Sequence, residues 1–166
     1  MAAACFDQQV YLFRLVWKTK PGLKHSLERK REVLYQGSLG GNSSSPTHVM
    51  FTGDAQFVIS NSKDMQILVW KTSSGERMTN IAAVRNASCF PWRNIIGWPV
   101  AGVWKQSYAQ SDINAVCQNW PTGPGPEAGK LIAVVDDVEM VNLYRFPCPL
   151  SNAEGREKSG HAARVT

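Results

Sequence analysis

The side chains able to do chemistry are few and scattered. Asp136 and Asp137 form an adjacent carboxylate pair, the raw material of acid–base catalysis. Neighbouring residues at a strand end point to opposite faces, so the pair is expected to serve hydrogen bonding in a turn instead. The cysteines, Cys5, Cys89, Cys117 and Cys148, lie far apart with no CxxC pair, and the histidines are equally dispersed. No metal-ligand spacing results, and reduced thiols are expected. Neither Cys117 nor Cys148 has a His–acid arrangement in sequence that would mark a nucleophile. His48, in a β-prone run, reads as a packed or capping side chain. The stretches GLKHS and GSLGGN lack the Lys-Ser/Thr ending of a phosphate loop. The expectation is a chain with no catalytic residue, metal or cofactor.

Asp64 suggests a different chemistry. It stands six residues before Trp70 in DMQILVW. An Asp in a tight turn accepts hydrogen bonds from backbone N–H groups and can reach a histidine or serine on a neighbouring loop. The Trp packs its apolar face between adjacent sheets while its indole N–H finds an acceptor. With Ser60 ending the strand before the turn, this spacing predicts that Asp64 and Trp70 fasten a small sheet to its neighbour.

Such residues need short strands to position them, and the sequence supplies these. THVMF (47–51), QFVIS (56–60) and QILVW (66–70) are β-prone runs separated by Gly53-Asp54 and by NSKDM, and Ser73-Ser74-Gly75 closes the third. RMTNIAAV follows, giving four strands in one antiparallel meander, the first three near 47–52, 56–61 and 66–71. DINAVC, KLIAVV and MVNLYRF predict a second unit with strands near 112–117, 130–135 and 140–146. There Asp136-Asp137 form the acidic turn and Tyr144 takes the place of Trp70. The phrase LVWKT occurs twice, at 15–19 and 68–72, as repeated strands do in arrays of small sheets. The spacings from Trp17 to Trp70 and from Trp70 to Tyr144 both exceed the roughly 40–45 residues of an ideal WD repeat, so insertions are expected at 19–32 and 85–111. Helical periodicity is suggested only within Lys24 to Leu34.

Of the 166 residues, 43% are hydrophobic and 19% charged, enough to bury a core. The formal net charge is +5, and much of the excess is local: Lys18, Lys20, Lys24, Arg29, Lys30 and Arg31 face only Glu28 and Glu32. The start, MAAACFDQQVYLF, has no basic region before an apolar core, and Arg14 interrupts the apolar run that follows. No stretch approaches the roughly 18 apolar residues of a membrane span. Neither a membrane nor a nucleic acid is expected as a partner.

From about Ser43 onward the chain resembles the WD-repeat region of the echinoderm microtubule-associated protein-like family. The resemblance is carried by GNSSSPTHVMF, FVISNSKDMQILVW, IIGWPVAGVW, SDINAV, LIAVVDDVEMVNLYRFPCP and GHAARVT, in that order. It implies an all-β fold, a partial WD40 β-propeller of about two four-stranded blades with flanking blade fragments. The Gly-His pair that opens a family repeat is present as Gly160-His161 and replaced by Gly41-Asn42 in the earlier unit. The WD dipeptide has become Trp70-Lys71. Glu139 stands where a small or neutral residue is expected, and PTGPGPEAG (121–129) reads as an extra surface loop.

On this reading residues 1–40 are a partial preceding blade with a basic insertion, and 41–84 a WD blade. Residues 85–111 are a Trp- and Gly-rich insertion, 112–159 a WD-like blade, and 160–166 the truncated start of the next repeat. The expectation is a fragment, a short isoform or a divergent product. Blade-structural roles fall to Asn42, Ser60, Asp64, Trp70, Asp136, Asp137, Tyr144 and His161. The family's microtubule association implies a non-catalytic protein of the cytoplasm and cytoskeleton whose partners are tubulin or microtubules; the basic cluster, which lies outside the best-matched region, offers Lys24, Arg29, Lys30 and Arg31 as electrostatic contacts to an acidic polymer. The alternative is a generic WD scaffold that binds other proteins through its blade surfaces.

Overall fold

The computed structural model describes residues 1–19, 29–85, 87, 89, 91–106, 112–120, 129–137, 139, 141–149 and 161–165. These residues build three small antiparallel sheets. The first comprises β1 (Ala2–Ala4), β2 (Val10–Thr19) and β3 (Arg29–Leu39), in that order. The middle sheet orders β4 (Pro46–Phe51), β5 (Phe57–Ser62) and β6 (Ile67–Lys71). The third orders β10 (His161–Val165), β9 (Val141–Arg145), β8 (Leu131–Asp136) and β7 (Ile113–Gln118). The six strands expected in the two central units are present, within a residue or two of the expected bounds.

The two-residue period of a strand decides which neighbour each middle-sheet residue meets. Val58, Leu68 and Trp70 turn toward the first sheet and share a buried cluster with Val10, Leu12 and Leu39. Met50, Ile59 and Val69 turn the other way, into a cluster with Ile113, Val116, Ile132, Val134 and Tyr144 of the third sheet. Trp92, Ile95, Val100 and Val103 of the Trp-rich connection complete that second cluster. The middle sheet is thus covered on both faces. The tight turns within the two central sheets use left-handed residues: Ala55, Met65 and Glu139 have φ of 57°, 63° and 60°.

Two expectations fail. RMTNIAAV is not a fourth strand of the middle sheet. Arg77 forms a single bridge with Trp70, after which Asn80 Oδ1 accepts from Ala82 N at 3.1 Å and caps a short 3-10 turn over Ile81–Val84. An Asn side chain that bonds its own backbone two residues on diverts the chain from the sheet. Helix within Lys24 to Leu34 fails for residues 29–34, which are strand: their pairing with β2 extends from Arg29 opposite Thr19 to Leu34 opposite Arg14. Helix propensity of Arg, Lys and Glu is a weak preference that tertiary pairing overrides. Residues 24–28 lie outside the described residues. The connection at 85–111 contains an α-helix, α1 (Ala101–Gln106).

Candidate functional site

Asn42, Ser60 and Trp70 meet at the seam between the first and middle sheets. Asn42 follows β3 and is buried. Its Oδ1 accepts from Ser60 Oγ at 3.2 Å, and its Nδ2 donates to Gln8 O, in the β1–β2 turn, at 3.0 Å. One amide therefore spans the two sheets. Trp70 is buried, and its indole N–H donates to Gly40 O at 3.2 Å, so ring packing and hydrogen bond both point at the first sheet. Asp64 stands apart on the exposed β5–β6 turn. Its carboxylate accepts from Ser43 Oγ and, at 2.5 Å, from Ser62 Oγ. These two hydroxyls hold its pKa below the usual carboxylate range. Ser43 and Ser62 were missed by sequence reasoning; the signal was the serine run 43–45, six residues before the first strand run closes.

The third sheet separates the acidic pair. Asp136 is buried and accepts from Asn142 Nδ2 at 3.3 Å. Asp137 is exposed and accepts from Asn114 Nδ2 at 2.5 Å. Their opposite orientations follow from strand geometry and serve β7–β8–β9 pairing. Tyr144 is buried in β9, and burial raises its phenol pKa. His161 opens β10 opposite Tyr144.

Buried amides also tie the Trp-rich connection to the sheets, and sequence reasoning did not single them out. Asn94 Nδ2 donates to Ile59 O at 3.3 Å, and Asn61 Oδ1 accepts from Ile96 N at 2.8 Å. Gln118 Oε1 accepts from Trp92 N at 2.8 Å. The only sequence signal was polar residues inside otherwise apolar runs.

The basic residues occupy a hairpin. Arg14, Lys18 and Arg31 are exposed on β2 and β3. Lys18 ion-pairs with Glu32, and the Arg31 guanidinium lies 5.0 Å from the centroid of the exposed Trp17 ring. Arg29 and Lys30 continue β3 opposite Thr19 and Lys18; Lys24 lies outside the described residues. Among the described residues no cluster of three or more His, Cys, Asp or Glu side chains could hold a metal. No helix among them is long and apolar enough to cross a membrane.

The family model described as echinoderm microtubule-associated protein second beta-propeller matches residues 1–166. The chain is 32% identical over 136 residues to echinoderm microtubule-associated protein-like 2 of Homo sapiens, covering 82% of this chain and 20% of that protein. Against echinoderm microtubule-associated protein-like 1 of Rattus norvegicus the identity is 32%, over 82% of this chain and 16% of the relative. Echinoderm microtubule-associated protein-like 4 of Xenopus laevis is 29% identical across 100% of this chain and 16% of its own length. The chain thus spans a fifth or less of these curated relatives.

Proposed function

The chain belongs to the echinoderm microtubule-associated protein-like family, and from that membership we propose that it binds tubulin or microtubules as a non-catalytic propeller element of the cytoplasmic cytoskeleton. The observation that carries the reading is the basic β2–β3 hairpin, exposed at Arg14, Lys18 and Arg31 on a chain of formal charge +5. A cationic surface raises both the encounter rate and the residence of an acidic partner. The seam cluster of Asn42, Ser60 and Trp70 acts as a structural fastener that keeps the hairpin's sheet against the middle one. Asp64, Asp136, Asp137, Tyr144 and His161 have the same kind of role within and between their strands.

The experiment compares microtubule capture of the chain with that of a variant carrying Glu at Arg29, Lys30 and Arg31. The reading expects the parent chain to be captured and the charge-reversed variant to be depleted from the bound fraction. Equal capture of both would remove the hairpin from the account. Capture of neither at low salt would favour a WD scaffold for other proteins.

A further inference from the structure

We propose that an apolar cavity between the middle sheet and the Trp-rich connection docks an acidic peptide segment of a partner protein. One aromatic side chain of that segment enters the cavity, and a neighbouring carboxylate meets Arg85 at its rim. The inference goes beyond the reading above and does not depend on tubulin.

The first ground is the fit. The cavity measures about 200 Å³ and is walled by Ile59 and Val69 of the middle sheet, Ile81 and Val84 of the 3-10 turn, and Trp92 and Trp98. An apolar cavity of about 150 Å³ is enough to take up benzene, so this one admits a phenyl ring. Its mouth is open, with Ile81 44% and Trp98 41% exposed.

The second ground is that the walls are held in place, and that this chain builds them. Trp92 is buried, its indole N–H donates to Asn94 O at 2.6 Å, and its backbone N–H donates to Gln118 Oε1 at 2.8 Å. Asn94 Nδ2 reaches Ile59 O at 3.3 Å, and Ile96 N donates to Asn61 Oδ1 at 2.8 Å. These bonds tie the connection to β5 on one side and β7 on the other. The space between is therefore a preformed pocket, which a ligand fills without first ordering it.

Charge selects the occupant. Arg85 lines the cavity, is exposed, and holds its guanidinium 6.0 Å from the centroid of the Trp98 ring. A guanidinium over a ring face keeps its N–H edge for a carboxylate. Among the described residues the ion pairs are Lys18–Glu32 and Lys71–Glu76, which leave Arg85 to an outside anion. Residues 77–111 carry Arg77, Arg85, Arg93 and Lys105 and no Asp or Glu, and the three arginines are exposed. Asp54 is felt at Cys89 in the cavity wall, but it already accepts from Thr52 Oγ1 at 2.5 Å and Gln56 N at 3.0 Å. An aromatic residue flanked by carboxylates answers both features. Its ring leaves water for the cavity, and its charge is complementary to the rim.

The test uses the full chain and a labelled peptide of about nine residues, a central Phe flanked by Glu. Two control peptides carry Ala for Phe or Gln for every Glu. The parent peptide should bind, and each control should lose affinity about tenfold or more. Arg85→Glu, at an exposed position, should weaken binding to the same degree. Arg31→Glu on the hairpin, which changes net charge equally, should stay within about twofold. Cys89 is half-buried in the cavity wall, so an inserted ring should shield it. With the peptide at about ten times its Kd, alkylation of Cys89 by iodoacetamide, read by mass spectrometry, should slow about tenfold. Five results overturn the proposal: no binding of the parent peptide, equal affinity of either control, undiminished binding to Arg85→Glu, an equal loss with Arg31→Glu, or unslowed alkylation of Cys89. None of these readouts uses microtubules, so the proposal and the microtubule reading stand or fall separately.

Discussion

Trp17 and Trp70 sit in the same pentapeptide, LVWKT, and meet opposite surroundings. Trp70 is 1% exposed and Trp17 is 59% exposed. Trp70→Ala should therefore cost about 3–5 kcal/mol, the range for truncating a buried aromatic ring. Trp17→Ala forfeits an exposed cation–π contact and should cost below about 1 kcal/mol. Denaturant melts of the two variants check the contrast; equal losses would place both rings wrongly. Asp64 contributes to the acid limb of stability, as do Asp7 and Asp54, whose pKa values are also lowered. Its folded pKa lies below its ordinary value of 3.8 because Ser43 and Ser62 donate to it, so its contribution is present above that pH and fades as pH falls through the folded value. Asp64→Asn should be less stable than the parent at neutral pH and converge with it in acid. His48 acts with the other polarity of charge. Burial lowers its pKa from 6.5, so the folded state resists protonation and stability should fall as pH drops below about 6.5. His48→Gln should flatten that decline, read from melting temperature against pH. At this scale the sequence disclosed the types of residue at the seam but not their partners. The Asp64-to-Trp70 spacing pointed to a sheet seam and to a serine or histidine partner; Asp64 bonds Ser43 and Ser62 from an exposed turn, while Asn42 and Trp70 cross the seam. Partner choice depends on how loops from distant positions meet, which local spacing does not encode.

Among the elements, strands were legible wherever two-residue alternation met Gly, Asp or Ser turns, as in Phe57 to Trp70. They were illegible where propensity and tertiary pairing disagreed. The charged run into β3 carries good helix formers, and its pairing with β2 prevails. RMTNIAAV carries β-formers, and the Asn80 cap ends the bridge to β6 after Arg77. Nothing in local pattern foretold α1 either, whose position is set by close packing on the chain after β9. Gly102 N donates to Cys148 O at 2.7 Å. A Cβ at Gly102 would lie 2.8 Å from Cys148 O and Pro149 O and 2.9 Å from Cys148 Sγ, with backbone atoms that cannot rotate away. Gly102→Ala should destabilise the third sheet by about 1–3 kcal/mol through overpacking. A thermal melt that overlays the parent would mean that α1 does not pack there.

For the whole molecule, the all-β propeller class and the family were both legible, because successive strand–turn units and phrases such as FVISNSKDMQILVW and LIAVVDDVEMVNLYRFPCP kept their order. What the sequence left open was where the basic excess would stand: of the described residues, Arg14, Lys18 and Arg31 are exposed on the β2–β3 hairpin. The central claim is that this hairpin makes the chain a microtubule-binding element. Exposed charges are screened over about 8 Å at physiological ionic strength, so the attraction must respond to salt. Co-sedimentation of the purified chain with polymerised tubulin across a salt series is the most direct measurement. The account predicts pelleting at low salt that declines steadily as salt rises, and no pelleting at low salt would contradict it.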